Sequence, residues 1–284
     1  MLGFGKLGQY LVKALGALDK CDIEVAVVYN RSPISDEANE ILEASCGKDV
    51  AIIHDLELVF DFPVDLIVEV AHPSVTAKYG VRFLAHAHYF CGSPTAFADA
   101  TVESSVLDAA RRGPNGLYVP SGALWGAQDV QKMAERGLLD SCTIAMKKHP
   151  SAFKLVGPLK DALKDLIDRN VQGESTLYAG SVRGLCPMAP NNVNTMACLA
   201  LASYPQLNFD RVNAVLVSDP SLDAHVIEME VCGPVRSDGQ KFYVKSTRYN
   251  PAAIGAVTGS ATFASFLSSL LRARGHEGSG VHFC

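Results

Sequence analysis

The feature that most constrains this chain is a complete G-x-G-x-x-G motif, Gly3-Phe4-Gly5-Lys6-Leu7-Gly8, which lies almost at its first residue. In a dinucleotide-binding unit the first glycine makes the turn from strand to helix, the second lets the backbone approach a pyrophosphate, and the third lets the helix pack on the strand. The phosphates then lie at the N-terminus of the helix. Such a spacing also occurs by chance in glycine-rich turns, so its meaning depends on the neighbouring elements.

The residues that follow the motif have the pattern of a βαβ unit. Residues 9–15 carry apolar side chains at helical spacing, and residues 23–29 form a β-branched run typical of a buried parallel strand. The first strand should extend for about five residues before Gly3, but Met1 and Leu2 are the residues that stand there. We therefore expect the flanking strands either to leave a slot or to close on each other, and the sequence to start late within its first strand.

Strands and helices continue to alternate up to residue 122. The pattern predicts strands over 50–53, 65–70, 89–91 and 117–119, and helices over 74–87 and 101–112. Strands separated by helices in this way specify a doubly wound parallel sheet, so we predict a dinucleotide-binding domain of the Rossmann type over residues 1–122.

The pattern changes beyond residue 122, where we predict a second, α+β domain over residues 123–258. Its strands alternate in polarity, which favours a mixed or antiparallel sheet covered on one face. We predict strands over 141–148, 176–179, 214–217, 226–231 and 242–245, and helices over 127–136, 160–169 and 191–202. Residues 259–284 include a last helix, over 260–274, that we expect to return to the first domain.

Composition narrows the class of protein. Of the 284 residues 48% are hydrophobic, yet no apolar run is long enough for a membrane span and no signal peptide is recognisable, which favours a cytoplasmic protein. The eight cysteines are scattered, which argues against a C-x-x-C motif or a disulfide framework. A net charge of -5 offers no basic surface for nucleic acid.

Ligands of a doubly wound sheet bind at the carboxyl ends of its strands. Asn30 and Arg31 follow the strand over 23–29, about where an NAD-specific site places an acidic residue. An arginine at this position can instead pair with a 2'-phosphate, which favours NADP or dual use; the alternative is a solvated turn residue. Ala71, His72 and Ser93 follow later strands and are expected to line the nicotinamide cleft.

Candidate chemistry lies in the second domain. Asn191, Asn192 and Asn194 cluster behind a loop rich in glycine and proline, and amides provide the donor and acceptor that suit a carboxamide such as that of nicotinamide. Helix capping alone would also explain asparagines at this position. His225 stands at the entry to a strand, where Asp219 or Asp223 could orient its ring as a general base, although a lone histidine there is more often structural.

Together these motifs resemble the L-aspartate dehydrogenase family. The resemblance is carried by the glycine motif and by residues 68–73, 121–126, 182–187, 192–194 and 219–225. It implies that His225 is the catalytic histidine, that Asn194 contacts NAD and that Ala123 offers a backbone contact to NAD. It further implies a homodimer, a link to NAD biosynthesis, and oxidation of L-aspartate with NAD or NADP to iminoaspartate, which water converts to oxaloacetate and ammonia.

The substrate carboxylates need cationic partners. Arg183 is our first candidate, followed by Lys147 and Arg248, and Asn192 is a further substrate-binding candidate. His149 and then His72 are the alternative proton acceptors. The chain also departs from the family pattern, because Leu222 and Ala224 replace a more polar context around the histidine.

Three other classes remain open. A two-domain reductase of the homoserine dehydrogenase or sugar oxidoreductase type would share the glycine motif and second sheet, but we find no Glu-Lys-Pro motif of the kind that marks many of the sugar enzymes. A non-catalytic NADP-binding redox sensor would tolerate loss of His225. A metal enzyme would have to use His86, His88 and Cys91, which lack a carboxylate partner, so core packing is favoured and no metal is predicted.

Overall fold

A computed structural model describes residues 1–19, 22–257, 260–274 and 278–284, without the side chain of Ser260. The first part of the chain alternates helices with short parallel strands, as predicted. Its elements are α1 (Lys6–Gly16), β1 (Val27–Tyr29), α2 (Asp36–Cys46), β2 (Ala51–Ile53), β3 (Leu66–Glu69), α3 (Pro73–His86), β4 (His88–Cys91), α4 (Ala100–Arg112) and β5 (Gly116–Val119).

The second part of the chain forms a five-stranded mixed sheet. Its elements are α5 (Ala127–Glu135), β6 (Ser141–Lys148), α6 (Pro158–Asp168), β7 (Ser175–Ser181), α7 (Val182–Leu185), α8 (Asn194–Ala202), β8 (Asn213–Ser218), β9 (Ala224–Cys232) and β10 (Tyr243–Pro251). The strand order is β10-β9-β6-β8-β7, in which β6 and β8 are parallel and the other neighbours antiparallel. The predicted fold class, a parallel α/β sheet followed by a second domain on a mixed sheet, is confirmed.

Leu2 takes the place of the predicted central strand. It bridges Tyr29 of β1 and Glu69 of β3 in parallel register. Its N–H donates to the carbonyl of Val68 at 2.6 Å, and its carbonyl accepts from the N–H of Val70 at 2.9 Å. Two residues therefore connect the β1–β2 pair to the β3–β4–β5 sheet at the end where the glycine motif begins.

A cavity of about 740 Å³ lies below Leu2, where the rest of a central strand would run. Its walls are formed mainly by residues 22–27 on one side and 63–68 on the other. The ammonium group of Met1 donates to the carbonyl of Val27 at 2.8 Å, and burial lowers its pKa to about 5. The flanking strands thus neither stay wholly apart nor close on each other: Leu2 joins them at one end and a slot separates them at the other. We call this cavity the slot.

The end of the chain returns to the first domain as a helix and a strand. Helix α9 (Ser260–Ala273) packs against α1 through a cluster that contains Leu11, Leu15, Phe266 and Leu270. Strand β11 (Gly280–Phe283) then pairs in parallel with β5 at the edge of the first sheet. The sequence pattern predicted the helix but not this strand, which is four residues long and follows a glycine-rich stretch.

Helix α8 lies at the centre of the molecule. Its residues from Met196 to Ala202 are all buried, and it packs against α5 and against the turn over Pro94–Ala98 of the first domain. A helix that is apolar on every side needs neighbours on every side, and here both domains supply them. Within the described ranges, no helix combines the length and apolar character needed to cross a membrane.

Candidate active site between the two domains

The glycine motif adopts a geometry that leaves room for a ligand. Gly3 has φ +98°, and a Cβ added there would lie 2.8 Å from the Cα of Ala71, whereas a Cβ at Gly8 would lie 2.2 Å from the carbonyl oxygen of Gly3. A Cβ at Gly5 would meet nothing within 4 Å. Gly5 also precedes α1 without a side-chain cap, so the N–H groups of the first helical turn are available to an anion such as a pyrophosphate.

Asn30 and Arg31 lie directly beyond β1, on the same side of the sheet as the glycine motif. The side-chain oxygen of Asn30 accepts from the N–H of Phe4 at 3.3 Å, which ties the end of β1 to the motif. Arg31 is exposed, as is Lys6 at the start of α1. An exposed guanidinium at this position can reach a 2'-phosphate, so its predicted role in NADP binding is compatible with its placement.

Glu69 organises the loops that follow β3 and β4, a role that the sequence analysis missed. Its buried carboxylate accepts from the N–H groups of Ala71 at 2.7 Å, His72 at 2.9 Å and Ser93 at 3.0 Å, and from the hydroxyl of Ser93 at 3.0 Å. Burial raises its pKa to about 7, although these bonds oppose the shift. The imidazole of His72 caps α3 by accepting from the N–H of Ser74.

A cleft of about 250 Å³ opens above these loops, between the two domains and α9. We call it the interdomain cleft. Of the residues predicted from the sequence, it brings together Leu7, Ala71 and Ser93 from the first domain with Ala123, Asn192, Asn194 and His225 from the second. Residues expected to hold a cofactor and the histidine expected to act on a substrate thus line one cavity.

His225 stands near the start of β9 with 5% of its surface exposed. Its Nε2 lies 2.9 Å from the carbonyl oxygen of Ala256. A carbonyl can only accept, so Nε2 carries the proton and Nδ1 keeps its lone pair. Burial and the nearby positive charge of Lys148 lower the pKa of His225 to about 4, so the ring is neutral at pH 7 and can accept a proton.

The predicted partners of the His225 ring do not hold it. The carboxylate of Asp219 accepts from the N–H of Ser221 at 2.9 Å and from the hydroxyl of Ser221 at 2.7 Å. Asp219 thus stabilises the turn in which it lies. The group that orients the imidazole is therefore the carbonyl of Ala256, not Asp219 or Asp223 as expected.

Lys148 is a cleft residue that the sequence analysis did not select. It ends β6, is 3% exposed, and donates from Nζ to the carbonyl of Val257 at 3.3 Å. Burial lowers its pKa to about 8. Its neighbour Lys147 faces the other side of the sheet, where it pairs with Glu174 at 2.8 Å and Glu228 at 3.3 Å. The period of two along β6 was the signal that could have separated these lysines.

The side chains of the asparagines differ in how many hydrogen bonds they form within the protein. Asn192 is used internally, since its oxygen accepts from the N–H of Lys154 at 2.8 Å and its amide donates to the carbonyl of Ala152 at 3.1 Å. The side-chain oxygens of Asn194 and Asn250 are buried and find no hydrogen-bond partner within the described residues. An unpaired buried acceptor costs about 1 to 3 kcal/mol, and a donor such as the nicotinamide carboxamide would satisfy it. The polar lining of the cleft therefore fits the nicotinamide end of NAD or NADP.

Arg183 does not line the interdomain cleft, contrary to the role first chosen for it. Its guanidinium pairs with Asp210 at 2.6 Å and with Glu103 at 2.6 Å, and it donates to the carbonyl of Ala98 at 2.7 Å. These partners come from both domains and engage all three nitrogens of the guanidinium. Arg183 thus joins the domains, and the structure gives no support for a contact with substrate.

The remaining candidates also have other partners. Arg248 donates to the carbonyl of Gly122 at 3.1 Å, and the ring of His149 caps a short turn by accepting from the N–H of Ser151. Neither is among the residues that line the interdomain cleft.

The three residues considered for a metal site are used separately. His86 bonds the carbonyl of Phe62, His88 accepts from the N–H of Gly116, and the sulfur of Cys91 contacts the hydroxyl of Thr76. The described ranges contain no group of three metal-ligating side chains.

Two family models match the chain, one in each domain. Residues 3–120 match "Homoserine dehydrogenase, NAD binding domain", and residues 129–269 match "Aspartate dehydrogenase, C-terminal". Residues 3–120 therefore form an NAD-binding domain.

Similar proteins extend this result over the whole chain. The chain is 48% identical over 290 residues to the "Aspartate dehydrogenase domain-containing protein" of Xenopus tropicalis, covering 100% of this chain and 96% of the relative. It is 28% identical over 236 residues to the "L-aspartate dehydrogenase" of Methanococcoides burtonii, covering 82% of each. The crystal structure of aspartate dehydrogenase from Thermotoga maritima shares the fold, with a TM-score of 0.66 at 20% identity over 96% of this chain and 93% of the other. The resemblance inferred from the motifs is confirmed: the chain belongs to the aspartate dehydrogenase family of oxidoreductases.

Proposed function

We propose that this protein is an NAD(P)-dependent L-aspartate dehydrogenase that works in the cytoplasm. The observation that carries the proposal is the interdomain cleft, in which a neutral histidine faces a cavity shared with the loops of the NAD-binding domain. The unpaired oxygen of Asn194 and the uncapped start of α1 offer places for the nicotinamide and for the pyrophosphate of a nicotinamide dinucleotide.

The residues of the first domain would hold and orient the cofactor. The open space at Gly5 and the first turn of α1 suit the pyrophosphate, and Arg31 suits the 2'-phosphate of NADP. Ala123 and Asn194 lie in the cleft where the nicotinamide end is expected. When bound, NAD or NADP supplies the acceptor for the hydride that leaves the α-carbon of L-aspartate.

His225 would act as the general base of the reaction. Its Nδ1 accepts a proton from the α-ammonium group as the α-carbon is oxidised, or from the water that attacks iminoaspartate to give oxaloacetate and ammonia. The low pKa of the free ring, about 4, makes it a weak base. A bound dicarboxylate brings negative charge beside Lys148 and the ring, which raises the pKa of His225 towards the range useful at neutral pH.

A substrate screen tests this proposal directly. Nicotinamide absorbance is followed with NAD and with NADP in the presence of L-aspartate, D-aspartate, L-glutamate, homoserine and common sugars. We expect turnover with L-aspartate. Turnover of homoserine or a sugar without L-aspartate would contradict the proposal, and tight dinucleotide binding without turnover of any substrate would favour the redox-sensor class.

We extend the proposal to a homodimer. Strand β10 lies at the edge of the second sheet, and its side chains Tyr243, Val244 and Tyr249 are 50%, 38% and 69% exposed. An exposed edge with apolar and aromatic side chains favours pairing with another chain. Light scattering at micromolar concentration should give twice the chain mass, and a monomer mass would refute this arrangement.

A further inference from the structure

We propose that the ammonium group of Lys148 binds a carboxylate of the substrate in the interdomain cleft. The inference rests on the proposed function, because it takes the substrate to be an acidic 2-amino acid or its 2-oxo product. It assigns the anion-binding role that the sequence pattern first suggested for Arg183.

The position of Lys148 follows from the alternation along β6. Cys142, Ile144 and Met146 are buried on the inner face of the strand, and Lys148 continues that row at its end. The side chain therefore enters the protein rather than the solvent, and it lines the same cleft as His225. A substrate carboxylate in this cleft can therefore lie near both the imidazole of His225 and the ammonium group of Lys148.

Within the described residues, the ammonium group of Lys148 uses only part of its hydrogen-bonding capacity. An ammonium group has three donors, and the contact found for it is the carbonyl of Val257 at 3.3 Å. Within the described part of the chain no carboxylate pairs with it, and burial is the cause of its lowered pKa, with no acidic neighbour to oppose the shift. A buried charge without a counterion is unfavourable, so an anion that enters the cleft relieves an existing cost.

The neighbouring lysine, Lys147, provides a comparison, because acidic side chains neutralise its charge. Lys147 lies on the outer face and pairs with Glu174 and Glu228, and its hydrogen bond to Glu174 is the largest cause of its raised pKa. Arg183 is likewise neutralised by Asp210 and Glu103. Lys148 differs from both, because no acidic side chain among the described residues pairs with it.

The test compares Lys148→Met with the matched variant Lys147→Met, which removes the same charge one residue away. Binding of oxaloacetate to each purified protein is measured by calorimetry at pH 7, with and without NADP, and KM and kcat for L-aspartate are measured in parallel. We expect Lys148→Met to weaken oxaloacetate binding at least about 10-fold and to raise KM for L-aspartate by a similar factor. Affinity for NADP should stay unchanged, and Lys147→Met should bind oxaloacetate as the wild type does.

Thermal unfolding controls for a structural role. Methionine matches the length of the lysine stem without the buried charge, so the melting temperature of Lys148→Met should equal or exceed that of the wild type. Lys148→Arg should recover part of the lost affinity. Unchanged oxaloacetate affinity in Lys148→Met, or an equal loss in Lys147→Met, would overturn the assignment.

The two proposals fail in different ways. Wild-type protein that binds oxaloacetate through Lys148 but does not oxidise L-aspartate would refute the proposed function and leave the anion site in place. Oxidation of L-aspartate with an unchanged KM in Lys148→Met would refute the anion site and leave the function in place.

Discussion

Two cavities flank the point where Leu2 meets the glycine motif, and they differ in what lines them. The slot below it encloses about 740 Å³ between strand segments and mainly apolar side chains, whereas the interdomain cleft above it encloses about 250 Å³. The smaller cavity is the one that collects His225, Lys148 and the unpaired oxygen of Asn194. Converging polar groups, rather than volume, therefore mark the candidate active site.

The comparison implies that the two cavities control different properties. Under the proposed function, groups in the interdomain cleft contact the cofactor and the substrate, so changes there should alter turnover and ligand affinity. The slot interrupts the central position of the first sheet, so changes there should alter the free energy of unfolding and leave the chemical step intact. Each variant below tests whether this separation holds.

The largest effect is expected from His225→Gln. Removing the proton acceptor should lower turnover of L-aspartate by about 100-fold or more, the usual scale of general acid–base catalysis, while affinity for NADP is kept. Steady-state kinetics and a cofactor titration measure the two quantities. His149→Gln is the control, since that ring lies outside the cleft lining. Full activity in His225→Gln with loss in His149→Gln would move the catalytic role to His149.

Arg31→Ala tests the proposed contact with the 2'-phosphate of NADP, which lies outside both cavities. Loss of one charge-assisted hydrogen bond should weaken NADP binding by about 1.5 to 3 kcal/mol and leave NAD binding nearly unchanged. Fluorescence titration of the wild type and of Arg31→Ala with each cofactor gives the change in affinity for NADP and for NAD. An equal loss for both cofactors would mean that Arg31 supports the structure of the loop.

Acid should reveal how far the cleft also affects stability. The pKa of His225 is lowered from 6.5 to about 4 on folding, so the unfolded chain binds more protons than the folded one at intermediate pH. The free energy of unfolding is therefore unaffected by this ring above pH 6.5 and decreases as the pH falls towards 4. At pH 5 the decrease is about 2 kcal/mol. Urea unfolding at pH 7 and pH 5 should therefore show a larger loss in wild type than in His225→Gln. Equal losses would exclude a depressed pKa.

The smallest effect is expected in the slot. An added Val-Gly-Val-Val segment before Met1 can pair with both walls and turns the buried ammonium group into an amide. We expect a gain of about 1 kcal/mol, or roughly 2 to 4 °C in melting temperature, with kcat unchanged. A Gly-Ser-Gly-Ser segment of the same length is the control. Equal melting temperatures for the two extensions would show that the slot does not accept a strand.

The first domain was predictable because its signals are local. Glycine spacing and apolar runs specify the strand–helix units within a few residues of each other. Strand β11 and the second half of β10 were missed for a common reason: they lie at sheet edges. Ser246, Thr247 and Arg248 in β10 therefore lack the apolar alternation of an inner strand.

The candidate site was predictable in part. The residue pattern selected His225 and Asn194, the family resemblance gave them their expected roles, and the structure places both in the cleft. Arg183 was misjudged because its partners Glu103 and Asp210 lie 80 and 27 positions away in sequence, and such pairing is decided by the tertiary fold. Lys148 was overlooked beside Lys147, although the period of two along β6 distinguishes a buried lysine from a paired one.

The contacts of Arg183 also bear on how the two domains can move. Its guanidinium holds Glu103 and Ala98 of the first domain and Asp210 of the second on one side of the interface. Separating the domains here would break the ion pair with Glu103 and the hydrogen bond to Ala98, whereas Asp210 would still hold the guanidinium on the second domain.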